Sequence, residues 1–195
     1  QVLQHPPVRL FDETGDGPSS VAVGDVNGDG ISDIVTANAD SRDLTVLLGT
    51  GGGEFNLGEG GVGIAGSNFR VSLSLGDVDG DGSLDAVTAD NGTGNVIVSL
   101  GDGEGGFDAS GPANPVISTS RPSSVDLGDL NGDGALDIVI TNQGSNDISV
   151  LLGDGVGSFS SAAGAPFPVG DAPFSVALGD VNNDELLDVV TENMD

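Results

Sequence analysis

Hydrophobic and polar residues alternate along this chain with a period of two, and no stretch sustains the spacing of an amphipathic helix. Val21 and Val23, Leu73 and Leu75, Val125 and Leu127, and Val176 and Leu178 mark four alternating segments. Each has the pattern of a half-buried strand, whose side chains point to opposite faces in turn. A polar loop follows each one, and then a β-branched run: DIVTAN (33–38), DAVTAD (85–90), DIVITN (137–142) and DVVTEN (188–193). Turns such as ADSRD, NGTGN and QGSND lead into a third strand, LTVLLG or ISVLLG among them. A glycine-rich turn closing on Phe55, Phe107 or Phe159 precedes a fourth, weaker strand.

The polar loops themselves recur. GDVNGDGISD (24–33) returns as GDVDGDGSLD (76–85), GDLNGDGALD (128–137) and GDVNNDELLD (179–188). Their leading aspartates, Asp25, Asp77, Asp129 and Asp180, are separated by 52, 52 and 51 residues, and LGTGGGEF, LGDGEGGF and LGDGVGSF keep the same step. Two landmarks on one period identify a repeat protein, and four strands per roughly 50 residues match a propeller blade. The expected fold is all-β: propeller-type repeats of four antiparallel strands, about 3.75 in number, open or completed by a neighbouring chain. Residues 1–195 read as a single repeat domain. Residues 1–17 supply the fourth strand of an incomplete blade, 18–69, 70–121 and 122–172 are repeats 1 to 3, and 173–195 is the first half of repeat 4. With VRLFDE (8–13) as that stray fourth strand, the expected tally is fifteen.

Charge narrows the function classes. Thirty-one acidic residues against four arginines give a formal net charge of −27 in 195 residues. Nucleic acid and anionic membrane surfaces need a basic patch, so neither is an expected partner. Cation uptake, or life in high salt, fits better. There is no cysteine, hence no disulfide and no thiolate ligand or nucleophile. No apolar run approaches the ~20 residues of a membrane-spanning helix. The chain starts with Gln rather than Met and shows no signal peptide pattern, so it reads as a processed mature form or an excised fragment, in keeping with secretion.

Counted from its first aspartate, each loop places an oxygen-bearing side chain at positions 1, 3, 5 and 9. These are Asp25, Asn27, Asp29 and Asp33; Asp77, Asp79, Asp81 and Asp85; Asp129, Asn131, Asp133 and Asp137; and Asp180, Asn182, Asp184 and Asp188. A backbone carbonyl at position 7, from Ile31, Ser83, Ala135 or Leu186, would add a further ligand. Calcium takes six to eight oxygens at about 2.3–2.6 Å and tolerates irregular geometry, whereas magnesium demands an octahedron. Zinc and copper favour His or Cys, which the loops lack. An EF-hand would need a bidentate Glu at position 12, where these loops carry Thr36, Thr88, Ile140 and Thr191. Solvated, ion-free turns of this composition are common, but four copies on one period favour calcium, three to four ions in all. The fourth loop departs from the others, with Asn183 and Glu185 replacing two glycines. Glu185 in a left-handed turn should cost about 1 kcal/mol of backbone strain.

The segment PSSVAVGDVNGDGISDIVTAN (18–38), its three relatives and the LLGDGVGSF closure resemble the FG-GAP repeats of integrin α-subunit β-propellers and the similar VCBS-type repeats of bacterial secreted proteins. The resemblance runs over essentially the whole chain. It implies that the Asp-rich loop joins the first two strands of a blade and binds calcium through positions 1, 3, 5, 7 and 9, which carry over to all four loops. Blades of that family usually number seven, more than this chain can hold.

Catalysis is not expected. His5 is the only histidine, it stands beside Pro6 and Pro7, and no nucleophile-elbow motif accompanies it. Many of the carboxylates already have a metal role. The expected function is a calcium-binding extracellular or cell-surface module for adhesion, surface architecture or self-assembly, including filaments formed by strand pairing between open ends. One alternative is a calcium-dependent, lectin-like propeller, although Trp and Tyr, the usual platforms for sugar rings, are absent. The other is a fragment of a larger secreted propeller protein. The expected partners are a second copy of the chain, joined head to tail, or an extracellular protein or glycan.

Overall fold

The computed structural model describes residues 15–58, 70–108 and 116–194. These residues form sixteen strands and no helix, so no helix among them is long and apolar enough to cross a membrane. The first sheet is a meander of β1 (Pro18–Gly24), β2 (Asp33–Asn38), β3 (Asp43–Gly51) and β4 (Glu54–Leu57). The second runs through β5 (Val71–Gly76), β6 (Asp85–Asp90), β7 (Asn95–Gly101) and β8 (Phe107–Asp108), with β9 (Val116–Ser118) also paired to β7. The third repeats this with β10 (Pro122–Gly128), β11 (Asp137–Asn142), β12 (Asp147–Gly153) and β13 (Phe159–Ser161), and with β14 (Phe167–Pro168) on β12. The last sheet is the pair β15 (Pro173–Gly179) and β16 (Asp188–Asn193).

All pairings are antiparallel, and the register repeats from sheet to sheet. Val21 faces Thr36, Leu73 faces Thr88, Val125 faces Ile140, and Val176 faces Thr191. The first strands lie side by side and are stitched by polar side chains: Leu73 N–H donates to Ser20 Oγ at 3.1 Å, Val125 N–H to Ser72 Oγ at 3.2 Å, and Leu178 N–H to Asp126 Oδ2 at 3.0 Å. The result is an open, propeller-like array of four sheets.

The core lies between consecutive sheets. Alternate side chains of one strand serve the sheet before and the sheet after, which is why the second and third strands read as almost continuous apolar runs. Val35, Ala37, Leu44 and Val46 meet Val71, Leu73, Ala86 and Phe107. Val87, Ala89, Val96 and Val98 meet Val125, Ile138, Ile140 and Leu151, and a smaller third cluster joins Val139, Ile148 and Val150 to Val176. A leucine at loop position 8 reaches back to the preceding repeat. A Cβ placed on Gly24, Gly76 or Gly128 would meet Leu84, Leu136 or Leu187 Cδ1 at 2.6, 2.7 and 2.7 Å, whereas Gly179 faces nothing within 4 Å. The ends of the described array are open in the same sense: Val181 is 67% exposed, while its counterparts Val26 and Val78 are 2% and 1% exposed.

Two features depart from the sequence expectation or pass unmarked by it. The fourth strand of the second and third sheets is split in two, so the described residues form sixteen strands where fourteen of the fifteen expected ones fall. In the third sheet a turn closed by Ala165 N–H to Ala162 O at 3.1 Å, followed by Pro166 with no N–H to give, breaks the ladder between Ser161 and Phe167. The expected strand VRLFDE and His5 lie outside the described residues. The second feature is Ser99, which is fully buried where repeats 1 and 3 carry Leu47 and Leu151, and its hydroxyl has no hydrogen-bond partner among the described residues. Because an unsatisfied buried polar group costs roughly 1–3 kcal/mol, Ser99→Ala is expected to stabilise the protein by about 1 kcal/mol, seen as a higher urea midpoint.

Candidate metal centre

Each Asp-rich loop joins the first and second strands of its sheet, and local backbone geometry holds it in one shape. Positions 4 and 6 require positive φ: +69° and +84° at Gly28 and Gly30, +75° and +93° at Gly80 and Gly82, +76° and +90° at Gly132 and Gly134. Asn183 and Glu185 adopt +63° and +68°, so the conformation expected to strain Glu185 is the one present.

Within this shape the carboxylates cap the loop's own amides. Asp25 Oδ2 accepts Gly30 N–H at 2.8 Å, Asp77 Oδ2 accepts Gly82 N–H at 3.0 Å, Asp129 Oδ2 accepts Gly134 N–H at 2.9 Å, and Asp180 Oδ2 accepts Glu185 N–H at 2.9 Å. These amide bonds hold the Asp129 and Asp180 carboxyls below the usual carboxylate range, the Gly134 and Glu185 N–H groups contributing most. At position 5, Asp29, Asp81, Asp133 and Asp184 accept the position-7 amides of Ile31, Ser83, Ala135 and Leu186 at 2.8, 2.7, 2.8 and 3.0 Å. Asn27 and Asn131 at position 3 donate to Asp29 and Asp133 at 3.2 and 2.8 Å.

The second loop differs because position 3 is a carboxylate. Asp79 has no amide to donate, and oxygens of Asp77, Asp79 and Asp85 lie within 4.8 Å of one another. Asp81 stands outside this trio, its Oδ1 turned to Ser83 N–H. Three converging carboxylates with all-oxygen chemistry suit a hard divalent cation, and the donor set fits calcium. Burial pushes the Asp85 carboxyl up to about 6 against the opposing Gly101 and Val78 amides, and the negative charges of Asp79 and Asp81 push it further the same way. A cation at this point would offset that repulsion.

Position 9 does something the sequence pattern does not reveal. Asp33, Asp85 and Asp137 are fully buried, and both oxygens of each are hydrogen-bonded. Oδ2 takes the amide of Val26, Val78 or Leu130 at 2.9, 2.8 and 2.9 Å; Oδ1 takes that of Gly49, Gly101 or Gly153 at 2.7, 2.8 and 2.9 Å. The aspartate therefore ties its loop to the third strand. A side chain on Gly49, Gly101 or Gly153 would press on the carbonyl oxygen of Ser32, Leu84 or Leu136, so glycine is required by close approach and not by φ. The available signal was a fixed separation of 16 residues between aspartate and glycine. Among the described residues Asp188 makes the loop half of the arrangement alone, accepting Val181 N–H at 3.1 Å.

This loop, with its flanking strands, is what family comparison detects. The model of the FG-GAP-like repeat matches residues 25–88, 77–140 and 129–191, each match running from one loop through the next. The chain belongs to the FG-GAP-like repeat family. No curated protein matches it. Among solved structures, this FG-GAP-like chain is similar to an Agrocybe aegerita lectin described as recognising non-reducing terminal N-acetylglucosamine, at 25% identity and a TM-score of 0.50 over 72% of this chain and 36% of that one. The Vibrio cholerae biofilm matrix protein Bap1 matches at 20% identity and 0.52, over 94% and 30% of the two chains. An auxiliary nutrient binding protein of Bacteroides ovatus matches at 14% and 0.55, over 89% and 48%. The latter two share the fold alone. The FG-GAP-like chain spans less than half the length of each of these proteins.

Proposed function

We infer that this chain is a calcium-bound extracellular propeller module that works by presenting surfaces to a partner. The observation that carries this reading is the convergence of Asp77, Asp79 and Asp85 oxygens in a loop whose design recurs four times. An ion in each loop would neutralise its carboxylates and pin its hairpin, supplying the fastening that disulfides give other secreted proteins. The ligands are those at positions 1, 3, 5 and 9 with the position-7 carbonyl, and Asp81 would swing from Ser83 N–H toward the ion. Calorimetric titration of the metal-free protein should then return three to four calcium ions. Asp81→Ala should return one fewer; an unchanged stoichiometry would contradict the ligand assignment.

Adhesion, surface architecture or self-assembly is the role this reading favours. Support comes from the open ends: Val21 and Val23 on the first repeat are 62% and 65% exposed, as are Val181 and Val190 on the fourth at 67% and 49%. The faces to which these residues belong pack against each other inside the array, so a second copy docking head to tail would bury them in the same way. Light scattering in millimolar calcium should find particles larger than one chain, lost on chelation. A second reading, glycan binding, draws on the likeness to the Agrocybe lectin. Retention on a glycan array that a chelator abolishes would support it over self-assembly.

A further inference from the structure

The chain carries four arginines against thirty-one acidic residues, yet two of the four line one recess. Arg70 and Arg121 line a recess of about 250 Å³ with Asn91, Ser123, Gln143, Phe174 and Met194. A second recess of about 350 Å³ adjoins it, sharing Arg70, Ser123 and Phe174 and adding Ser19, Ser20 and Ser72. Together they fall within the roughly 300–1,000 Å³ of small-ligand sites. All four repeats contribute, and no described residue lining either recess is acidic. Arg70 and Arg121 immediately precede β5 and β10, so the recess sits at the opposite strand ends from the Asp-rich loops.

The scaffold is fixed while the guanidinium donors are not used up. Asn91 donates to Pro122 O at 2.9 Å and Ser123 to Pro173 O at 2.6 Å, while the backbone carbonyls of Arg70 and Arg121 take the amides of Asn91 and Gln143 at 3.1 and 3.0 Å. Arg70 Cζ lies over the Phe174 ring, 4.6 Å from its centroid, a cation–π contact that leaves its N–H groups for a ligand. The Arg121 side chain has no hydrogen bond or ion pair among the described residues, and its backbone is left-handed at φ +53°. The corresponding positions in repeats 1 and 4 hold Gly17 and Ala172, also at positive φ. The left-handed backbone is thus a feature of the turn that the repeats share, and what sets this repeat apart is a guanidinium placed there, lining the recess in a protein otherwise this acidic.

We propose that this recess binds a uronic acid, its carboxylate held by Arg70 and Arg121 and its hydroxyls by Ser123 and Gln143. Two guanidinium forks match a carboxylate bidentately, and the amide and hydroxyl lining matches a polyol. The site does not depend on the calcium reading. The test is titration of sodium glucuronate into the calcium-saturated chain, followed by nuclear magnetic resonance, with glucose and acetate as controls and Arg121→Gly as the variant. Glycine suits the left-handed backbone, so the variant keeps the fold and the calcium stoichiometry. Glucuronate should shift the resonances of Asn91, Ser123 and Gln143, bind at least tenfold more tightly than glucose or acetate, and weaken at least tenfold in Arg121→Gly. No binding, equal binding of either control, or unchanged binding to the variant each overturns the proposal.

Discussion

Asp137→Ala is expected to lower the stability of the calcium-free protein by roughly 3–5 kcal/mol, because it orphans one buried and one partly buried amide at once, each costing about 1–3 kcal/mol. Those amides are Leu130 N–H and Gly153 N–H, and Asp137 itself has no exposed surface. The loss reaches beyond the loop, since the same carboxylate ties β12 to it. Asp188 provides the internal control. It accepts one amide, and its replacement by alanine should cost about 1 kcal/mol. Urea denaturation of both variants in excess chelator removes the metal from the comparison. Equal midpoints for the two variants would sink the claim that position 9 is a structural tie.

Gly101→Ala should be the second large effect, at about 2–3 kcal/mol, from overpacking against backbone that has nowhere to go. The new methyl would lie on the Leu84 carbonyl oxygen, and the amide that Gly101 gives to Asp85 at 2.8 Å would be pushed off line. Gly82→Ala separates this steric cause from a conformational one. Gly82 stands at φ +93° with open space where a Cβ would go, so its penalty of about 1–2 kcal/mol is strain alone. Urea midpoints should rank Gly101→Ala below Gly82→Ala, and a neutral Gly101→Ala would mean that the third strand can retreat from the loop.

The first three strands of each of the first three sheets, the two of the last, and the loops between them were legible in sequence because their causes are local. Val21 and Val23 alternate, DIVTAN is β-branched, and the loop glycines sit beside the aspartates they serve. The split fourth strand was not legible, because Phe167–Pro168 is too short for alternation to show and its pairing with β12 is set by a turn several residues upstream. The tie from Asp85 to Gly101 crosses 16 residues and two strands, so each residue looked sufficient in its own motif. The arginine recess is hidden for a different reason. Arg70 corresponds to Pro122 and Arg121 to Ala172, so the recess is built from positions where the repeats differ, and a period that averages the repeats erases it.

The leucine at loop position 8 and the glycine it covers on the preceding repeat have a consequence for how such a chain can grow. Both halves of the joint are encoded within every unit from the second onward, so a tandem duplication copies the plug and its socket together. A newborn unit docks on its parent without any compensating change, and the angle between neighbours is inherited rather than selected afresh. Ser32, which stands where the later repeats carry Leu84, Leu136 and Leu187, marks the one described unit with no plug to offer. A copy of that first unit inserted between two others would leave the glycine beneath it uncovered.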